Sequence, residues 1–250
     1  MANQKTKALV KAGESSFAIV DDPQAKEVML SAFDTLGLSN FQLSRLRIPA
    51  GGMTAWEVDS LEGSTVEPHL DVILLAMKGN QKAWWAKPLE EAGGGAPPSC
   101  SSTDGRTGWG VNSMDETEEP GEHACAECAW NQFGSARGKG KGKDCSDFAY
   151  LFFFQQGARI PSMLMVPATS LKGLQSYVLR LIDAGKRMEG CITRLGLKKA
   201  QSASGITYAT LDLSWQGDLD EDASAGMVEL ANQFRSRLTD FQDYTSTQEA

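Results

Sequence analysis

Residues Cys100–Cys145 read CSSTDGRTGWGVNSMDETEEPGEHACAECAWNQFGSARGKGKGKDC, and four of the chain's five cysteines lie in this run. Cys125 and Cys128 form a C-x-x-C, with Cys100 and Cys145 standing singly on its two sides. Four thiolates suit a closed tetrahedral zinc site that keeps no coordination position open for chemistry. The residues between them are mostly Gly, Ser, Asp, Glu and Lys. Such a segment buries too little apolar surface to order itself. A metal would supply the missing folding free energy, on the order of 10 kcal/mol. One structural Zn2+ held by Cys100, Cys125, Cys128 and Cys145 is therefore the leading expectation. A site in which His123 replaces one cysteine, and a set of unrelated free thiols, are the alternatives.

On both sides of this run the pattern is that of strands. Upstream, Lys87-Pro88 through Pro97-Pro98, with Gly93-Gly94-Gly95 inside it, reads as a linker. Before the linker, HLDVILLAMK (69–78), Gly79-Asn80 and QKAWWA (81–86) predict a β-hairpin. Adjacent Trp84 and Trp85 would point to opposite faces, one into the core and one outward. Downstream, AYLFFFQQ (149–156) and RIPSMLMVP (159–167) predict two further strands. A helix follows, capped by Ser170 and ended by Gly185, with a stripe of Leu171, Leu174, Tyr177, Val178, Leu181 and Ile182. A last strand pair spans CITRLGLKKAQ (191–201) and GITYATLDLSW (205–215). Cys191 falls there, away from the cluster, and reads as a small buried hydrophobe.

At the N-terminal side, Phe17–Val20 reads as an arm or a first strand. Asp21-Asp22-Pro23 then opens a helix over 23–36 with Ala25, Val28, Met29, Ala32, Phe33 and Leu36 at helical spacing. FQLSRLRIP (41–49) and Ala55–Val58 have strand character. At the other end, Asp218–Tyr244 is amphipathic through Leu219, Met227, Leu230, Ala231, Phe234, Leu238 and Phe241. The expected architecture is α+β. It comprises an arm and helix over 1–40, an antiparallel OB-like barrel over 41–216 with the zinc subdomain inserted at 98–147, and an acidic amphipathic helix and tail over 217–250.

Bulk properties narrow the function. The 250 residues are 41% hydrophobic, and no run of about 18 apolar residues exists to cross a membrane. The N-terminal MANQKTKALVKAGESSF lacks an apolar core, so no secretory signal is expected and the setting is read as cytoplasmic. Net charge is −8, of which residues 216–250 carry −6 through eight acids and two arginines. That balance opposes coating of duplex DNA by bulk charge, yet leaves room for a local basic groove. Catalysis has little to work with: there are two histidines, and no G-x-S-x-G, Walker or dinucleotide fingerprint. The zinc-deaminase pattern is missing too, since Glu127 lies inside the C-x-x-C. The chain is therefore read as a non-enzyme.

Binding of nucleic acid has a pattern behind it. Arg137, Lys139, Lys141 and Lys143 alternate with glycine just before Cys145, and such a loop can track phosphates. Trp130 and Phe133 stand beside it, and stacking of a base on an aromatic ring is worth roughly 1–3 kcal/mol. Arg45, Arg47, Lys78, Lys82, Trp84 and Trp85 complete the candidate groove.

The run Cys125-x-x-Cys128-x-x-Asn131-Gln132-Phe133-Gly134-Ser135, followed by Gly142-Lys143-x-Cys145, resembles a signature of a group of phage and prophage proteins. The Gly/Pro stretch before Cys100 and the segment Pro167-Ala168-Thr169-Ser170-Leu171-Lys172 belong to the same likeness, which covers roughly residues 45–215. More loosely, the chain is similar to phage single-stranded-DNA-binding proteins, which combine an OB-fold, an embedded zinc subdomain and an acidic C-terminal region. The likeness implies a host-cytoplasmic, non-catalytic partner of single-stranded DNA in replication or recombination. Here the acids sit at the start of the last helix, which suits packing on the body, on a second copy of the chain or on replication or host proteins. The competing expectation is a zinc-stabilised protein–protein module that modulates a host complex, with Asp115–Glu122 and the last helix as its surfaces.

Overall fold

The computed structural model describes residues 17–36, 43–60, 63–87, 97–114, 117–137, 141–202 and 205–238. Its helices are α1 (Ala18–Asp21), α2 (Pro23–Leu36), α3 (Ala168–Asp183) and α4 (Glu221–Arg237). The strands are β1 (Ser44–Leu46), β2 (Trp56–Ser60), β3 (Gly63–Glu67), β4 (Leu70–Trp84), β5 (Cys100–Ser102), β6 (Thr107–Gly110), β7 (Gly121–Ala124), β8 (Ser146–Gln155), β9 (Ser162–Pro167), β10 (Cys191–Gln201) and β11 (Thr207–Asp218). The class is α+β, with a mixed sheet: β1 pairs parallel to β9, while β10 pairs antiparallel to both β11 and β4. Among the described residues the strand path stays open, and no pairing closes it into a barrel.

The chain divides into two compact units, and the division falls inside β4, after Met77, and inside β8, after Tyr150. In the unit outside residues 78–150, β4 and β8 are the central strands. Both are buried on two faces, which is why VILLA (72–76) and YLFFF (150–154) read as continuous apolar runs. On one face Val72, Leu74, Leu151 and Phe153 join Trp56, Leu164, Val166, the inner residues of β10 and β11, and Leu171, Leu174, Tyr177, Val178 and Leu181 of α3, while Ile182 of the expected stripe faces solvent. Trp56 is tied there by its indole N–H, which donates to the carbonyl of Leu195 at 3.0 Å. On the other, Phe152 meets Phe234 of α4 with ring centroids 5.4 Å apart, and Phe234 meets Phe33 of α2 at 5.8 Å.

Several expectations hold, and others are corrected. The helix over 23–36 forms, and the Asp22 carboxylate accepts from the Ala25 N–H at 3.1 Å. Its stripe is narrower than expected, because Val28 faces solvent. Phe17–Val20 is neither an arm nor a strand: the segment turns into α1 and buries Phe17 and Ile19. Cys191 opens β10 and is buried, as read. α3 ends at Gly185, whose φ of 68° only glycine adopts without strain. Its first residue is Ala168, however, so Ser170 is not the cap. The Ser170 hydroxyl instead accepts from the Leu211 N–H of β11 at 3.0 Å, in the core.

The predicted 69–86 hairpin is a single strand. A two-residue hairpin turn needs a positive φ at the first central residue, or at both. Only Asn80 is left-handed, with φ 57°. The chain therefore runs on through Gly79-Asn80 without reversing. Residues 82–84 pair with Cys100–Ser102 instead of folding back on 70–76.

Candidate metal centre and binding surface

In the unit of residues 78–150, β4, β5, β6 and β7 lie side by side in that order. Each cysteine sits at an element boundary. Cys100 starts β5, Cys125 follows the last residue of β7, Cys128 precedes a short 3-10 turn (Ala129–Asn131), and Cys145 precedes β8. Backbone bonds draw these ends together: Cys125 N–H donates to Arg106 O at 2.8 Å, and Cys145 N–H to Trp130 O at 2.9 Å.

All four cysteines line one pocket, with Lys82, Trp84, Gly108, His123, Trp130 and Asn131 among its other walls. Gly108 is the point of closest approach, since a Cβ there would fall 2.9 Å from the Cys100 sulfur and 3.6 Å from that of Cys125. Only a residue without a side chain lets the two sulfurs come this near the β6 backbone. Burial, with the neighbouring sulfurs of Cys128 and Cys125, pushes the Cys100 thiol up to about 11. Burial likewise pushes Cys145 up to about 12 against the pull of Lys82. His123 lies at the edge, its Nε2 donating to Gly110 O at 2.7 Å. Among the described residues, no three His, Cys, Asp or Glu side chains are drawn to the close spacing of a filled metal site. The donor set matches zinc in kind, since four cysteines and no carboxylate line this one pocket.

Three of the expected DNA-binding cations, Lys82, Arg137 and Lys143, have partners inside the protein. Lys82 and Lys143 share Asp147, and both donate to Asn131 Oδ1, at 3.1 Å and 3.0 Å. Burial works against the Asp147 charge, but its bonds to the two ammonium groups hold the carboxyl below the usual range. Arg137 grips Asp144 with bonds to both oxygens at 2.9–3.0 Å, and also donates to the carbonyls of Trp85 and Ala86. Asp144 in turn accepts from the Trp84 indole at 2.6 Å. Of the tryptophan pair, Trp84 is the buried one, at 1% exposure, and it stacks on Trp130 with centroids 4.9 Å apart. The Trp130 N–H donates to Asn112 O at 2.5 Å. Trp84 and Trp130 are thus walls of the cysteine pocket, and Trp85 is half-buried.

What faces solvent is smaller. Phe133 is 84% exposed, with the Lys143 ammonium 5.7 Å from its ring centre, and Lys141 beside it is exposed. Lys139 lies outside the described residues. Lys78 is half-buried, while Arg45 and Arg47 are exposed on or just after β1, in the other unit. Trp109, absent from the sequence-derived set, is 64% exposed on the β6 face opposite Gly108.

The sequence reading also missed the residues that shape the knuckle. Asn131 Nδ2 donates to Cys125 O at 2.7 Å, Gln132 to Ala126 O at 2.9 Å, and the Ser135 hydroxyl to Trp130 O at 2.8 Å. The polar spacing N-Q-x-x-S directly after a C-x-x-C was the available signal: side-chain amides and hydroxyls there can satisfy turn carbonyls. No helix among the described residues is long and apolar enough to cross a membrane. Searches of protein-family models, of curated proteins and of solved structures each returned no match for this chain.

Proposed function

We propose that residues 78–150 form a non-catalytic binding module in which Cys100, Cys125, Cys128 and Cys145 hold one structural Zn2+, and that the surface so fixed binds single-stranded DNA. The observation that carries this is Phe133. A large ring at 84% exposure contributes nothing to a core, yet its neighbours Asn131, Gln132 and Ser135 are tied to the carbonyls of Cys125, Ala126 and Gln132. A solvent-facing ring beside lysines, on a turn held in this way, is a base-stacking platform. The zinc, when bound, supplies folding free energy and no chemistry, because four sulfurs fill its coordination. The likeness to phage proteins adds a role in phage replication or recombination, in the host cytoplasm. An OB-like arrangement of the remaining strands is compatible with this reading and not required by it.

The geometry narrows the contacts. With Lys82, Arg137 and Lys143 paired internally, exposed Lys141 is the loop's phosphate contact among the described residues, and Lys139, outside them, is assigned as the second on the sequence pattern alone. Two such contacts correspond to a salt slope of about −1.4 in log affinity against log salt. Anisotropy of labelled oligo-dT, titrated at several salt concentrations beside a duplex of equal length, measures this. Phe133→Ala weakens single-strand binding about tenfold and leaves the thermal midpoint unchanged. Equal affinity for both DNAs, or a Phe133→Ala chain that binds like the parent, overturns the reading.

A second reading has its own observation. Trp109 is exposed, and its strand partner across the β6–β7 ladder is Glu122, next to the acidic residues Glu118 and Glu119. An aromatic anchor in an acidic surround suits a protein partner better than a polyanion. Capture of a host protein that resists nuclease and is lost in Trp109→Ala would favour it. The C-terminal helix is a poorer partner surface than expected, because its apolar residues are already buried.

A further inference from the structure

We propose that Lys82 is the counter-charge of the four-cysteine centre, held against it by Asn131 and Asp147. The inference rests on the zinc reading above and adds a role that the cysteines alone do not imply. A Zn2+ ion with four thiolates carries a net charge of about −2. In a pocket walled by the stacked rings of Trp84 and Trp130, that charge is poorly solvated and needs a compensating cation.

Among the described residues, Lys82 is the one ammonium on the pocket wall. Its position comes from β4: Lys82 sits in register with Ser102 of β5, the strand that begins with Cys100. Asn131 links the ammonium to the knuckle, accepting from Lys82 through Oδ1 while its Nδ2 holds Cys125 O. Lys143 mirrors Lys82 on the same Asn131 oxygen and on the other oxygen of Asp147. The charge count then points toward the sulfurs. Two ammonium groups and one carboxylate leave one positive charge over, in a site where both lysines are largely shielded from water. A surplus buried cation is costly unless an anion faces it. Groups that support metal ligands from behind typically change metal affinity by 10–100-fold when removed.

The test uses the reduced full-length chain and competition for Zn2+ against a chromogenic chelator, with Co2+ absorption as a report on ligand geometry. Lys82→Met is expected to bind zinc about tenfold or more weakly, with the sulfur-to-cobalt bands unchanged. Lys82→Arg, which keeps the charge, is expected to stay close to the parent. Should Lys82→Met lose the cobalt spectrum altogether, Lys82→Gln, which can still donate to Asn131, replaces it in the same comparison. Parent-like affinity in the uncharged variant overturns the inference, as does a Lys82→Arg chain no better than Lys82→Met. A parent chain that takes up neither zinc nor cobalt overturns the zinc reading itself, which is a different result.

Discussion

Cys128→Ser is expected to remove zinc from the protein, taking the metal content from one ion per chain to none by elemental analysis. The same substitution should release β5, β6 and β7 to fast amide hydrogen exchange, while β10, β11 and α3 keep their protection. The reason is the composition of residues 97–147. Its buried hydrophobic side chains among the described residues are Cys125 and Cys145, with half-buried Trp130 stacked on Trp84 of β4. With the metal contributing on the order of 10 kcal/mol in small zinc-held folds, no other term in this segment is of comparable size. The other unit has its own core around β4, β8, β10 and β11, and needs none of these cysteines. Cys191→Ala is the matched control, since Cys191 is buried in that core and should keep the zinc. A metal-free parent chain with protected β5–β7 amides would overturn this prediction.

Phe234→Ala should cost about 3–5 kcal/mol of stability, read as a lower urea midpoint with an unchanged slope. Phe234 is 0% exposed and touches Phe33 of α2 and Phe152 of β8. Removing its ring leaves a cavity between side chains anchored on two different elements, α2 and β8, which cannot collapse together to fill it. The helix is held at both ends as well. The Asp220 carboxylate accepts from the Ala223 N–H at 2.8 Å, and Arg237 forms two bonds of 2.6–2.7 Å to Asp34. Glu221 and Asp222 in the first turn, and Arg235 and Arg237 in the last, match the helix dipole. Deleting residues 219–250 is for the same reason a poor test of partner binding, since it removes part of the core. A loss below about 1 kcal/mol in Phe234→Ala would mean that α4 is an appendage.

How much was legible beforehand depends on how local each feature is. The helix over 23–36, the buried run at 149–154 and the final strand pair follow from side-chain period, a property of neighbouring residues. That four cysteines share one pocket followed from their spacing and the weak composition between them. The Gly79-Asn80 signal was half right. Asn80 does take the left-handed conformation, but the pairing energy available from Ser101 and its neighbours decided where the chain went next. The acids of the last segment were legible as helix-starting residues. That the helix lies in the core was legible only as an apolar stripe awaiting a partner.

By itself, the sequence determined which side chains could ligate a metal, which runs must be buried, and that the chain lacks the familiar catalytic signatures. The tertiary structure alone decided what the cations and aromatics near the cysteines do. Lys82 and Asp147 are 65 positions apart, and Trp84 and Asp144 are 60 apart. Whether an ammonium meets water, a phosphate or a buried carboxylate is a matter of which distant segments fold against it. A lysine–glycine loop looks the same in sequence in all three cases. Here the fold gives Lys82, Lys143 and Arg137 to the protein's own carboxylates and leaves Phe133, Lys141 and Trp109 facing solvent.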